Sequence, residues 1–232
     1  MAVRVVTWNL FHGRSVPPHD RNLFDLFADQ LCTWSWDVAL LQEVPPWWGP
    51  LLATVCEAQQ ATALTSRTQL LPLRRAIAQR RPELIKSGGG GANAILVRGA
   101  RITAHARRRL CLWPERRVVH AVRDEHGRWF ANLHATVHHD ANARRDIANA
   151  AAAALRWASG APLVLGGDLN VRDPELPGFA RGASHGVDHV YVTGGFTRAA
   201  PRELLERGAL SDHAPVLATL GEPPRATDLG GA

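Results

Sequence analysis

Apolar residues change their spacing several times along the chain, and each change predicts an element. Residues 3–8 (VRVVTW) and 37–42 (DVALLQ) are short apolar runs that read as strands, and between them LFDLFADQL has the apolar spacing of a helix. A second helical stretch is predicted over roughly 50–81, closing in RRAIAQRRPEL with Pro82 as its stop. After GGGG at 88–91, read as a flexible connector, the pattern becomes β-rich: NAILVR, ITAHAR, VVHAVRD and WFANLHATV, the last two joined by the hairpin turn EHGR. ARRDIANAAAAALRWAS is the most alanine-rich helix, with Asp140 or Asn142 as its N-cap. PLVLGGDLNV then reads as a buried strand entering a glycine-marked turn, and VDHVYV and HAPVLATL as two further strands. Strands interspersed with helices predict an α/β or α+β layered sandwich. One domain is expected over 1–220, followed by a mobile tail over 221–232.

Composition agrees: 46% hydrophobic and 21% charged residues suit a substantial core. No apolar stretch approaches the roughly 18 residues of a membrane span, and no secretory signal pattern opens the chain. A cytoplasmic monomer without a transmembrane segment is expected. Three cysteines, Cys32, Cys56 and Cys111, are widely spaced and odd in number, which argues against a disulfide framework. A net charge of +6 points to an anionic partner, nucleic acid first, although a general bias toward arginine and alanine contributes to it.

Candidate chemistry gathers where strands end. Acid, amide or imidazole groups follow apolar runs at Asn9, Glu43, Asn132 to His134, Asp168 to Asn170, and Ser211 to His213. Such groups lose hydration at buried strand ends, and a shared divalent cation would compensate them. Singly, each also fits a turn or a local cap. Asp168 and Asn170, two apart, would share one face if the chain there were extended.

The segments TWN, LQE, NAIL, NLH, GDLN, VDHVYV and SDH, in that order over residues 7–217, resemble the endonuclease/exonuclease/phosphatase superfamily, which includes DNase I, exonuclease III and the neutral sphingomyelinases. The resemblance implies a four-layer αββα sandwich of two mostly antiparallel sheets flanked by helices, with a metal-dependent phosphoric ester hydrolase site at one end. It implies Glu43 as the first metal ligand, with Asp212 and Asn9 completing or buttressing the site. Oxygen donors without thiolates suit Mg²⁺, with Mn²⁺ as a replacement. Asn9 is expected at the catalytic rim facing substrate, and His12 as loop.

By the same resemblance Asp168 and Asn170 hold the attacking water and a phosphate oxygen. Asp188 orients His213, whose role is general base or phosphate stabiliser. His134 protonates the leaving group and tilts the reading away from abasic-site repair. Two departures stand out. The carboxylate that should precede NAILVR to orient His134 is missing, so Asn93 takes its place or His134 is held differently. Only 17 residues separate Asn170 from Asp188, which leaves little room for recognition insertions.

Arg116 and Arg117 are candidate phosphate contacts, set against the alternative of a solvated strand edge. Trp47 and Trp48 would stack on bases or enter a lipid interface, or else lie buried beneath their loop. The function expected is a Mg²⁺-dependent nuclease of little sequence preference. Its rivals are a phosphoesterase acting on a lipid head group or inositol phosphate, and a silent binding module, which the full set of site residues disfavours.

Overall fold

Alternation along the central strands assigns their faces. In β1 (Ala2–Asn9), Val3 and Val5 enter one core while Val6 and Trp8 enter another; in β2 (Val38–Val44), Val38 and Leu40 oppose Ala39 and Leu41 in the same way. A sheet apolar on both faces must be covered on both. The computed structural model describes residues 2–65, 69–80, 91–113 and 115–222, and within them the chain forms two sheets with helices outside.

The first sheet has seven strands. Its path runs β11 (Thr197–Arg198), β13 (Val216–Gly221), β1, β2, β4 (Ala92–Val97), β3 (Gln59–Leu64), and β12 (Glu203–Leu204) also pairs with β13. The second has six strands, in the order β5 (Ile102–Cys111), β6 (Arg117–Asp124), β7 (Trp129–His134), β8 (Leu163–Asp168), β10 (Asp188–Thr193), β9 (Ala180–His185). Pairing is antiparallel except for β1 with β2 and β7 with β8. Each parallel pair is joined through a helix that crosses over the sheet, α1 (Phe24–Thr33) for the first and α4 (Asp140–Ala158) for the second.

Valines and leucines of both sheets, with Phe130 and Ile95, fill the space between them. Trp8, Leu41 and Leu217 pack with Phe27 and Leu31 of α1 and Leu52 of α2 (Trp48–Val55) on one outer side. Leu133, Leu163 and Leu165 pack under Ile147 and the alanines of α4 on the other. These three apolar layers, alternating with sheets and helices, make the four-layer sandwich that the sequence led us to expect.

Several local expectations differ. The stretch over 50–81 is not one helix: α2 stops at Val55, Glu57 takes a left-handed φ of 52°, and Gln59–Leu64 becomes edge strand β3 before α3 (Leu71–Arg80) begins. Pairing with β4 and burial of Ala61 and Ala63 override the helical preference of the alanines. Pro82 and most of the GGGG run lie outside the described residues. Asp140 is the first helical residue of α4 rather than its N-cap, and bonds Arg144 one turn on at 2.8 Å. At the other terminus, Gly221 still belongs to β13 and Glu222 pairs with Arg128, so the first two residues of the expected tail are in place; 223–232 lie outside the described residues.

The parallel pairs matter for chemistry because their C-terminal ends coincide. Asn9 aligns with Gln42, and His134 with Asp168, which in turn faces Asp188. The glycines ahead of Asp168 permit this. A Cβ on Gly167 (φ +137°) would meet Leu133 O at 1.9 Å, and one on Gly166 would meet Leu40 Cδ1 at 2.8 Å. Only glycine allows β8 to approach β7 and the opposite sheet so closely.

Candidate active site

Counting back along each strand shows which polar groups point between the sheets. Asn9 continues the face of Val3 and Val5, Gln42 that of Val38 and Leu40, Asn132 and His134 that of Phe130, Asp168 that of Val164, and Asp188 that of Val190. Where the apolar side chains end, polar ones meet across the sandwich. The first contact is structural: Gln42 Nε2 donates to Asn132 Oδ1 at 2.8 Å, and Asn132 Nδ2 donates to Leu41 O at 2.8 Å and Ala94 O at 2.9 Å. Both amides are buried, and the bonds join the two sheets.

One step nearer the rim stands Asp168. Its Oδ2 accepts from Asn9 Nδ2 at 2.9 Å, and Asn9 Oδ1 accepts from the Phe11 amide at 2.9 Å. His134 Nε2 lies 3.6 Å and His213 Nε2 3.8 Å from that same Oδ2. His213 Nδ1 is 2.7 Å from Asp188 Oδ2, and its Nε2 is 3.9 Å from Asp212 Oδ1. Glu43 Oε1 lies 3.8 Å from His134 Nε2, and Glu43 Oε2 lies 3.1 Å from His12 Nε2. A continuous series of contacts therefore runs from Glu43 through His134, Asp168 and His213 to Asp212. Asp188 is buried, Glu43 is partly buried, and Asp212 is exposed.

Backbone conformation aims these groups. Strict alternation would send Glu43 toward the helices with Leu41, but its φ of 49° and the irregular register between Leu41 and Val44 turn the carboxylate to the rim. Asn170 also has a positive φ, 52°, so the chain after Asp168 is not extended and the two side chains do not share a strand face. Its backbone amide donates to Asp168 Oδ1 at 3.1 Å, while its side-chain amide reaches Ala135 O at 3.1 Å. Trp8 Nε1 donates to His213 O at 3.1 Å, and the Ser211 hydroxyl donates to Asn9 O at 2.6 Å; both fix the SDH turn against β1.

Other expected residues are placed differently. Asn93 Nδ2 donates to Val118 O at 3.3 Å and its Oδ1 is buried without a hydrogen-bond partner; the carboxylates beside His134 Nε2 are Glu43 and Asp168. Arg116 donates to Leu64 O, and Arg117 pairs with Glu115 at 2.6 Å. Trp48 is buried against Phe24 and Phe27 at the start of α2, unavailable for stacking, whereas Trp47 is half-buried beside a cleft of about 360 Å³ shared with Leu71 and Arg75. His12, read as loop, is in fact at the rim. The imidazole's place three residues after Asn9 on a turn closed by glycine was the available signal.

The electrostatics separate the two central histidines. Burial opposes a charge on His213, but the Asp188 hydrogen bond and charge, with Asp168 and Asp212, outweigh it and raise its pKa to about 9. Burial, with the positive charges of Arg117, His12 and His213, holds His134 well below the ordinary imidazole range. Burial, then the charge of Asp188, pushes Asp168 up to about 7.

Asp168, Asp188 and His213 place donor atoms within 4.8 Å of one another. Because His213 Nδ1 and Asp188 Oδ2 already satisfy each other, that triad is better read as an orienting pair beside an acid. The wider donor set still fits a hard divalent cation: it is rich in carboxylate and amide oxygen and has no thiolate, and Asp188 Oδ1 is buried without a partner.

Comparison with solved structures finds the same fold in other proteins. A protein described as endonuclease/exonuclease/phosphatase from Beutenbergia cavernae aligns with a TM-score of 0.68 at 18% identity, covering 96% of this chain and 72% of that one. TDP2 from Caenorhabditis elegans aligns with a TM-score of 0.68 at 15% identity, covering 95% and 74%. A mannosyl-6-phosphatase from Bacteroides thetaiotaomicron aligns with a TM-score of 0.68 at 14% identity, covering 95% and 100%. Comparison with curated protein sequences gives no match. The model of the Endonuclease/Exonuclease/phosphatase family matches residues 6–213, a span that includes every contact described above at the rim. The chain belongs to the endonuclease/exonuclease/phosphatase family of phosphoric ester hydrolases.

Proposed function

We propose that this hydrolase is a Mg²⁺-dependent phosphodiesterase that cleaves nucleic acid with little sequence preference, with Mn²⁺ able to replace Mg²⁺. The observation that carries the reading is the convergence of Asn9, His134 and His213 on Oδ2 of one buried acid, Asp168. Glu43, with Asn9 and Asp212, would hold the cation, which supplies neutralisation of phosphate charge.

Asp168, with a pKa pushed up to about 7, is suited to accept a proton from the attacking water near neutral pH. The Asn170 amide, bonded to the other oxygen of Asp168, keeps that carboxylate turned to the site. His213, cationic up to about pH 9, meets a phosphate oxygen and is the better proton source for the leaving group. His134 stays neutral and offers its unpartnered Nε2 for one hydrogen bond.

Nucleic acid is favoured by charge and shape beside the site. Arg107, Arg108 and Arg109 are exposed on β5, and the connection to β6 carries Trp113, 85% exposed, just ahead of Arg117. Exposed arginines with an aromatic platform suit a phosphate backbone and an unpaired base. A second reading, a lipid or small phosphoester, is favoured by one observation: the mannosyl-6-phosphatase is matched over 100% of its length.

The test is a panel of supercoiled plasmid, single-stranded oligonucleotide, detergent-dispersed sphingomyelin, and sugar and inositol phosphates, each with Mg²⁺, Mn²⁺ or EDTA. Cleavage of plasmid and oligonucleotide that EDTA abolishes is expected. Hydrolysis confined to the lipid or the phosphomonoesters would replace the proposal with the second reading.

A further inference from the structure

Outside the strand ends that form the site, two thiols that flank β2 in the chain meet. Cys32 lies in the last turn of α1 and is exposed; Cys56 follows α2 and is buried. Their Sγ atoms are 3.3 Å apart. A disulfide needs an S–S separation of about 2.05 Å, so the 3.3 Å gap must shorten by only about 1.2 Å. Both residues sit at helix ends, where backbone and side chain adjust more readily than in mid-helix.

Their surroundings suit thiol exchange. Arg98 is fixed beside the pair: its Nε donates to Cys56 O at 2.9 Å, its Nη1 donates to Trp34 O at 3.2 Å, and its guanidinium stacks 3.7 Å above the Trp36 ring. The charge of Arg98 favours the Cys56 thiolate, but burial there outweighs it. Burial, together with contact to Cys32, pushes the Cys56 thiol up to about 12, so the exposed Cys32 is the thiol that reacts first. Cys111 lies elsewhere, at the end of β5, with its Sγ on Glu115 O at 3.1 Å.

We infer that Cys32 and Cys56 are a covalent oxidation site that takes a low-molecular-weight disulfide and closes to a reversible cross-link between α1 and α2. The Cys32 thiolate attacks one sulfur of the disulfide, forming a mixed disulfide and releasing one equivalent of thiol. The Cys56 sulfur, losing its proton to solvent, then attacks Cys32 Sγ and releases the second equivalent. Two protein thiols are oxidised and one external disulfide is reduced to two thiols.

The cross-link would fasten the layer that supports the site from outside. Phe27 of α1 packs 5.1 Å from Trp8 and 5.5 Å from Trp48 of α2, and Trp8 donates to the backbone of His213. Closing this loop restricts the unfolded chain, so the oxidised protein should melt roughly 5–10 °C higher than the reduced protein.

The test equilibrates the whole protein with oxidised glutathione, then counts free thiols after denaturation and maps peptides by mass spectrometry. The expected result is a fall from the three thiols of the chain to one, a Cys32–Cys56 linked peptide, and recovery on adding dithiothreitol. A count that stays at three, a stable glutathione adduct on Cys32 without closure, or a link that includes Cys111 would each overturn it. Cys111→Ser provides the independent variant, in which the same treatment should remove every free thiol.

Discussion

The Nε2 atoms of His134 and His213 approach one and the same oxygen, Oδ2 of Asp168, at 3.6 and 3.8 Å. Two imidazoles beside one carboxylate are nevertheless in opposite states. Asp188 holds His213 cationic, while burial and Arg117 keep His134 neutral. Environments that push neighbouring groups apart in this way are how acid and base roles are divided at a single pH.

Asp188→Asn removes the charge that sustains the His213 cation. The His213 pKa, raised to about 9, is expected to fall toward the ordinary imidazole range, followed by the Cε1 proton in an NMR titration. Phosphodiester turnover should drop by about 10²–10⁴-fold. An unchanged His213 titration would show that Asp188 is not its support.

Stability should fall on the alkaline side. His213 has a folded pKa of about 9 against an ordinary value of 6.5, so its contribution is complete below 6.5 and is lost as pH rises through 9. Asp168, raised from 3.8 to about 7, has the same sign in a lower window, its contribution being gone above 7. Urea midpoints measured between pH 6.5 and 9 should therefore decline in the wild type and decline less in Asp188→Asn. Parallel slopes in the two proteins would contradict this.

Asn132→Ala should destabilise without touching the reacting groups. It strands Leu41 O and Ala94 O in a buried layer and takes one acceptor from Gln42 Nε2, which keeps Leu40 O and Thr7 Oγ1, at a cost of about 2–4 kcal/mol. The measurement is the urea midpoint; a loss below about 1 kcal/mol would mean that water or local shifts satisfy those groups.

Much of the sandwich could be read from the chain because its central strands obey one rule: apolar on both faces until polar side chains begin at one end. Asn9, Glu43, His134, Asp168 and His213 were visible as acids, amides and imidazoles following such runs, whereas Asp188, which opens its strand, was pointed to only by the family resemblance. What the sequence hid was decided by backbone and partner. Glu43 and Asn170 depend on positive φ angles that no periodicity encodes. Strand β3 is alanine-rich and extended only because β4 pairs with it. Gln42 looked like one more strand residue, and Cys32 and Cys56 looked unrelated until α1 and α2 folded onto one sheet and brought their sulfurs within 3.3 Å.

The most direct measurement is the rate at which wild-type protein and Asp168→Asn cleave a labelled oligonucleotide in Mg²⁺, beside their melting temperatures. Asp168 is buried, and its pKa is pushed up to about 7 by burial first and then by Asp188, so the neutral amide should melt at the same temperature as the wild type or higher. Its cleavage rate should nevertheless fall by at least about 10²-fold, and EDTA should abolish cleavage by the wild type. A variant that folds and cleaves as fast as the wild type, or wild-type cleavage untouched by EDTA, would contradict a metal-dependent site centred on Asp168.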